Sequence, residues 1–184
     1  MKPSNPIDQF AVSASSFCRW CEAAPSEQAD RELRSREVRR LLARLIADAL
    51  ALPETNPGNS PDSVRATDDE LKALTPRLAD LPVDKYGVYF WPADLQSDPV
   101  VASLIDDLQE IYRDLRDGLW LYEQGHIDAA AWQWLLLFEI HWGHHASNAL
   151  HALQGQTANT SYGAAVLIGG KTSHTSALKD LGGL

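Results

Sequence analysis

The chain has 184 residues, 45% of them apolar and 22% charged, which is the length of one domain and enough apolar surface for a core without metal or disulfide staples. A fibre, a repeat array and a multidomain assembly are excluded on size and composition. With 25 acidic against 16 basic side chains the net charge is −9, which disfavours nucleic acid and anionic membrane as partners unless positive charge is concentrated locally.

The only cysteines, Cys18 and Cys21, are too few and too close for a secreted disulfide framework, so a reducing cytoplasm is the expected compartment. No apolar run follows Met1 to Pro6, and the most apolar stretch, 129–142, is interrupted by Gln133, Glu139 and His141. Neither a signal peptide nor a membrane span is expected.

Phe10, Ala14, Phe17 and Cys21 recur at helical spacing over residues 6–23, and Pro25 ends that pattern. Ser26 is a candidate N-cap for a second helix, whose stripe of Leu33, Val38, Leu41, Leu42, Leu45, Ile46, Ala49 and Leu52 stops at Pro53. Residues 53–67 are rich in Pro, Gly, Asn, Ser and Asp and read as a loop. Thr67 and Glu70 fit a capping box for a short helix to about Leu78, with Pro76 expected to distort it.

Tyr86 to Pro92 is aromatic and β-branched, but no partner run is evident, so it reads as an extended connector packing its rings on a helical core. A third main helix is expected to start near Ser97 and Pro99, bury Val101, Leu104, Leu108, Ile111, Leu115, Leu119 and Tyr122, and end at Gly125. A fourth, capped by Asp128, should run to about Leu153, stop at Gly155 and be the most buried element. The fold class is therefore all-α: an up-and-down bundle of four main helices over residues 6–154, with a short extra helix and a mobile, disordered tail over 155–184.

Helix three carries Asp106, Asp107, Glu110, Asp114 and Asp117. At about 100° per residue Asp107 and Asp114 fall beside the Leu104/Ile111 stripe, while Asp106 and Asp117 point outward. Helix four puts His141 and His145 four apart on one face with Asn148, the spacing at which two imidazoles can share a metal, and His144 and His151 on an adjacent face. Antiparallel packing would bring Asp107, Glu110 and Asp114 to His141 and His145, a ligand set for a divalent Zn, Mn or Fe ion. Against this stands the absence of any Glu-x-x-His or His-Glu-x-x-His motif. The favoured reading is a structural network in which Asp107 and Asp114 accept hydrogen bonds from His, Trp or Arg side chains and lock the helices together.

Cys18 and Cys21 have redox-motif spacing but lie near the end of helix one, where the helix dipole opposes a thiolate, and are read as small apolar core residues. The arginines of helix two, Arg31, Arg34, Arg36, Arg39, Arg40 and Arg44, alternate with acids and read as a solvated face with pairs such as Glu32 and Arg36. Trp134 and Trp142 are assigned with the other helical tryptophans to the core, and Trp120 and Trp132, pointing off the main stripe, are the candidate homodimer contacts. Gly169-Gly170-Lys171-Thr172 lacks the upstream glycine of a phosphate loop.

The run Ser103 to Leu115 (SLIDDLQEIYRDL) and the run Phe138 to Ala146 (FEIHWGHHA) resemble the bacterial domain-of-unknown-function family 5063, and Phe17-Cys18-x-Trp20 and Tyr89-Phe90-Trp91-Pro92 fit it as well. The resemblance spans Phe10 to Leu153 and implies a relationship, with no activity, cofactor or catalytic residue attached. With no complete catalytic motif, whether the protein is an enzyme stays open. The expectation is a binding or regulatory module for a protein or small-molecule partner. The alternative is a metal-dependent hydrolase using Asp107, Glu110, Asp114, His141 and His145.

Overall fold

A computed structural model describes residues 5–24, 31–89, 96 and 98–168. Helix α1 (Pro6–Glu22) opens with the Asn5 side chain accepting from the Ile7 amide at 3.1 Å and with proline in the first turn, and it buries Phe10, Ala14, Phe17 and Cys21 as their spacing requires. Helix α2 (Arg31–Ala49) buries Val38, Leu42, Leu45 and Ala49 against α1 and the final helix, α6 (Gly143–Ile168). Leu33, expected in that stripe, is exposed instead. Ser26 and Pro25 lie outside the described residues.

Helix α3 (Asp68–Leu78) has the expected capping box, with Thr67 and Glu70 bonding to each other's backbone amides. Pro76 falls in its last turns, and the helix continues through it to Leu78. Leu71, Leu74 and Leu78 fix this helix to the core.

The expected lone connector is instead half of a hairpin. Strand β1 (Lys85–Val88) pairs antiparallel with β2 (Val100–Ser103), in the register Lys85 to Ser103 and Val88 to Val100. The third main helix consequently starts later than expected, as α4 (Leu104–Glu123), with Ser103 as its N-cap. Val101, assigned from the sequence to a helical stripe, is 78% exposed on the strand. Asp84 ties the two elements together: its carboxylate accepts from Ser103 Oγ at 2.7 Å and its carbonyl from the Leu104 amide at 2.7 Å.

Gly125, at φ +85°, ends α4 in the left-handed conformation that glycine adopts without cost. The fourth helix then runs as α5 (Ile127–Leu137), a π-helical turn (Phe138–Trp142) and α6 (Gly143–Ile168). It starts one residue before Asp128, with His126 at the cap position and no side-chain cap. A Cβ at residue 143 would lie 2.2 Å from the Phe138 carbonyl oxygen, so glycine is what allows the wide π turn to close at that point. The expected stop at Gly155 does not operate, and α6 runs on to Ile168. Gly155 does not take the positive φ through which a glycine ends a helix. The remainder of the expected tail, with Gly169 to Thr172, lies outside the described residues.

The architecture is all-α with one two-stranded hairpin. The element at its centre is α4, which packs on α1, α3, α5 and α6 and buries Leu104, Leu108, Ile111 and Leu115 completely. The fourth helix is the less buried one, with Trp132, Leu136 and Ile140 exposed on one side. Trp134 and Trp142 are fully buried, and their indole N–H groups donate to the carbonyls of Leu115 (3.2 Å) and Trp134 (3.1 Å). Phe10 packs between them, with ring centroids at 4.9 Å and 6.0 Å. Trp120, proposed from the sequence as an interface residue, packs half-buried on the core. No helix among the described residues is long and apolar enough to cross a membrane.

Candidate functional site

The seam between α4 and the fourth helix contains two aspartate–histidine pairs. Nδ1 of His145 lies 2.8 Å from Oδ1 of Asp107, and Nδ1 of His141 lies 2.6 Å from Oδ2 of Asp114. The earlier acid meets the later imidazole and the later acid the earlier imidazole, the pairing that antiparallel helices produce. The two rings stand edge to face with centroids 5.0 Å apart. An ionised carboxylate only accepts, so each Nδ1 carries the proton and donates it, leaving Nε2 as the atom able to bind something else. Neither Nε2 has a hydrogen bond or ion pair among the described residues, and the two side chains are 38% and 30% exposed.

The acids are buried and the histidines reach the surface. Asp107 is also the acceptor for the Tyr86 hydroxyl from β1. Asp114, with no exposed surface, faces Arg65 through its second oxygen at 3.6 Å, and the same guanidinium reaches Asp117 at 3.3 Å. Burial of Asp117 at 2% exposure corrects the outward orientation expected from the helical wheel. The loop bearing Arg65 covers that face of α4, and a wheel drawn for one helix contains no information about a loop. Asp106 is exposed, as expected.

Burial raises the Asp114 carboxyl above the usual range, with the His141 bond and the Arg65 charge pulling the other way. For Asp117 burial is again the first cause, opposed by Arg65 and reinforced by Asp114, and the carboxyl is pushed up to about 6. His145 is raised chiefly by its bond to Asp107, against the opposing effect of burial. Burial, then the bond to Asp107, pushes the Tyr86 hydroxyl up, so it remains a donor.

The five residues singled out from the sequence thus separate into two pairs and an outlier. Glu110 turns away to Arg113, at 3.1 and 3.2 Å, which also reaches Asp68 at 3.4 Å. Among the described residues no three His, Cys, Asp or Glu side chains converge as one metal shell. Asp107 and Asp114 spend one oxygen each on a histidine, and Glu110 turns both of its oxygens to Arg113. Tyr86 and Arg65 belong to the site and were not singled out as its residues. Tyr86 was assigned to packing, and Arg65 sits in a loop whose composition carries no periodic signal.

The other sequence features behave as ordinary structure. Cys18 and Cys21 are buried free thiols whose ionisation burial makes harder. Arg44 pairs with Asp48 at 2.9 Å and Arg31 with Asp80 at 2.9 Å, while Arg34 is buried over the Trp20 ring.

A family model described as "Domain of unknown function (DUF5063)" matches residues 2–159, which takes in every residue of this seam. The chain belongs to the DUF5063 family. A similar fold is found in the crystal structure of protein BF1032 from Bacteroides fragilis, a structural genomics target. That structure matches this DUF5063 chain with a TM-score of 0.68 at 21% identity, over 82% of this chain and 91% of the other. At that identity the likeness concerns the fold alone. No curated protein matches this DUF5063 chain.

Proposed function

We propose that this protein is a ligand-binding module and that the double aspartate–histidine seam is its site, holding a divalent transition-metal ion through Nε2 of His141 and His145. The observation that carries this reading is the fixing of both Nδ1 atoms by buried carboxylates, at 2.6 and 2.8 Å, on neighbouring rings that reach solvent. Metal-binding histidines are commonly held in this way: the carboxylate sets the tautomer and makes Nε2 a better donor to the metal. The surroundings favour a cation, since Asp107, Asp114, Asp117 and Glu110 are set against Arg65 and Arg113.

Two imidazoles fill only half of a four-coordinate zinc shell, and catalytic zinc sites use three protein ligands. Binding, with the remaining positions taken by water or by groups of a partner molecule, therefore fits these residues better than hydrolysis. The test is titration of the full chain with ZnCl2 in a calorimeter. One zinc per chain, lost in His141→Ala and in His145→Ala, is the expected result. Absence of uptake, or equal uptake by the His141→Ala/His145→Ala double variant, overturns the reading.

A further inference from the structure

On a different face, between α2 and α6, lies a cleft of about 340 Å³ lined by Arg36, Arg39, Arg40, Ala43, Leu150 and Gln154. We propose that it binds a small anion carrying a phosphate group. This inference stands independently of the metal reading, since the two sites share no residue.

The helix makes the arrangement. Arg36, Arg39 and Arg40 stand at i, i+3 and i+4 on α2, so their side chains leave the same face. Elsewhere among the described residues, arginines are set against carboxylates, as Arg65 and Arg113 are. Arg31 has Asp80 and Arg44 has Asp48, each at 2.9 Å. The arginines of the cleft differ. Arg39 is bonded to neutral acceptors, the Ser35 carbonyl at 3.3 Å and the Gln154 side chain at 3.2 Å. Arg36 reaches Glu32 at 3.8 Å, beyond hydrogen-bond length. Arg40 has no ion pair or hydrogen bond among the described residues.

Three guanidinium charges set against one carboxylate leave two in excess, on a molecule whose total charge is −9. Two positive charges match a phosphate dianion, and guanidinium forks match phosphate oxygens pairwise. A single carboxylate would occupy one fork and leave the others unmatched. The floor of Ala43 and Leu150, with the Gln154 amide at the side, is suited to the organic body that bears the phosphate. Among the described residues no aromatic ring lines the cleft for a nucleic-acid base to stack on.

Pyrophosphate is the probe, added to the full chain while the arginine Nε–H signals are followed by NMR. Saturable shifts confined to Arg36, Arg39 and Arg40 are expected. Affinity should fall about tenfold or more in Arg36→Gln/Arg40→Gln. Both positions are exposed, so the variant keeps the fold. The charge-matched control Arg31→Gln/Arg44→Gln, which removes arginines already paired with Asp80 and Asp48, should bind pyrophosphate as the parent chain does. Sedimentation with phosphatidylglycerol vesicles separates the two sources of the phosphate. Pelleting that is lost in Arg36→Gln/Arg40→Gln assigns a lipid headgroup, and saturation without pelleting assigns a free phosphate-bearing molecule. Shifts that never saturate, or equal weakening in the control, overturn the proposal.

Discussion

The Asp114 carboxylate, with no surface exposed to solvent, lies 2.6 Å from Nδ1 of His141. The acid is held by the core of α4, so the imidazole is oriented by a group that cannot itself swing into solvent. If this is the outer support of a metal ligand, its loss should be felt at the metal. Asp114→Asn and Asp107→Asn are expected to weaken zinc binding by about 10- to 100-fold each. Glu110→Gln, which alters a carboxylate bonded to Arg113, should leave zinc affinity unchanged. Competition with a chromophoric chelator measures all three, and an equal loss in Glu110→Gln would contradict the assignment of outer support to the two aspartates.

Arg65 reaches two buried carboxylates, at 3.6 Å from Asp114 and 3.3 Å from Asp117. Arg65→Ala leaves both without that charge and is expected to destabilise the protein by about 1–3 kcal/mol at pH 8. The cost should shrink at pH 5, where Asp117, with its carboxyl at about 6, is mostly protonated. Urea unfolding at the two pH values tests this, and a cost independent of pH would show that the guanidinium does not act on these acids.

Two raised groups make stability depend on pH in one direction. His145 is raised above 6.5, so its contribution is complete below 6.5 and is lost as pH rises through its folded value. Asp117 moves from 3.8 to about 6, so the penalty for burying its charge is absent below 3.8 and complete above about 6. Both predict that the metal-free chain unfolds at lower urea concentration at pH 8 than at pH 5. Asp117→Asn should flatten the lower part of that trend and His145→Gln the upper part. Midpoints that rise towards pH 8 would refute the sign.

Gly118 is irreplaceable for a packing reason. A Cβ there would fall 2.1 Å from Nε1 of Trp134, which is completely buried and already bonded to the Leu115 carbonyl. Gly118→Ala should cost about 1–3 kcal/mol or more. Gly155→Ala, on a helical position with nothing within 4 Å, should instead stabilise by about 0.5–1 kcal/mol. Guanidinium unfolding of the two variants should move in opposite directions.

Much of the bundle was legible because a helix writes its buried face at a fixed period. Phe10, Ala14, Phe17 and Cys21, and Leu104, Leu108, Ile111 and Leu115, are buried as that period requires. The same rule placed Asp107 and Asp114 at the edge of the core and His141 near His145. It does not assign partners, so from the sequence Asp107 and Asp114 fit metal ligands and hydrogen-bond acceptors alike. It failed where a second element decides. Asp117 is covered by a loop, and Val101 belongs to a strand because residues 85–88 lie beside it. Gly155 misled for another reason: glycine permits a helix to end without requiring it, and here the backbone continues.

The π turn at Phe138–Trp142 carries one residue more than a regular helical turn of that span would need. Had the same segment been wound as plain α-helix, everything beyond it would be rotated by about 100° about the axis. His145 would then leave Asp107 for another side of the rod, while the first half of the helix kept its place. The single surplus residue therefore acts as a phase adjustment: it lets the face that seats Trp134 in the core and the face that buries Trp142, Ala146 and Leu153 look in the same direction, and leaves His145 beside that face, against α4.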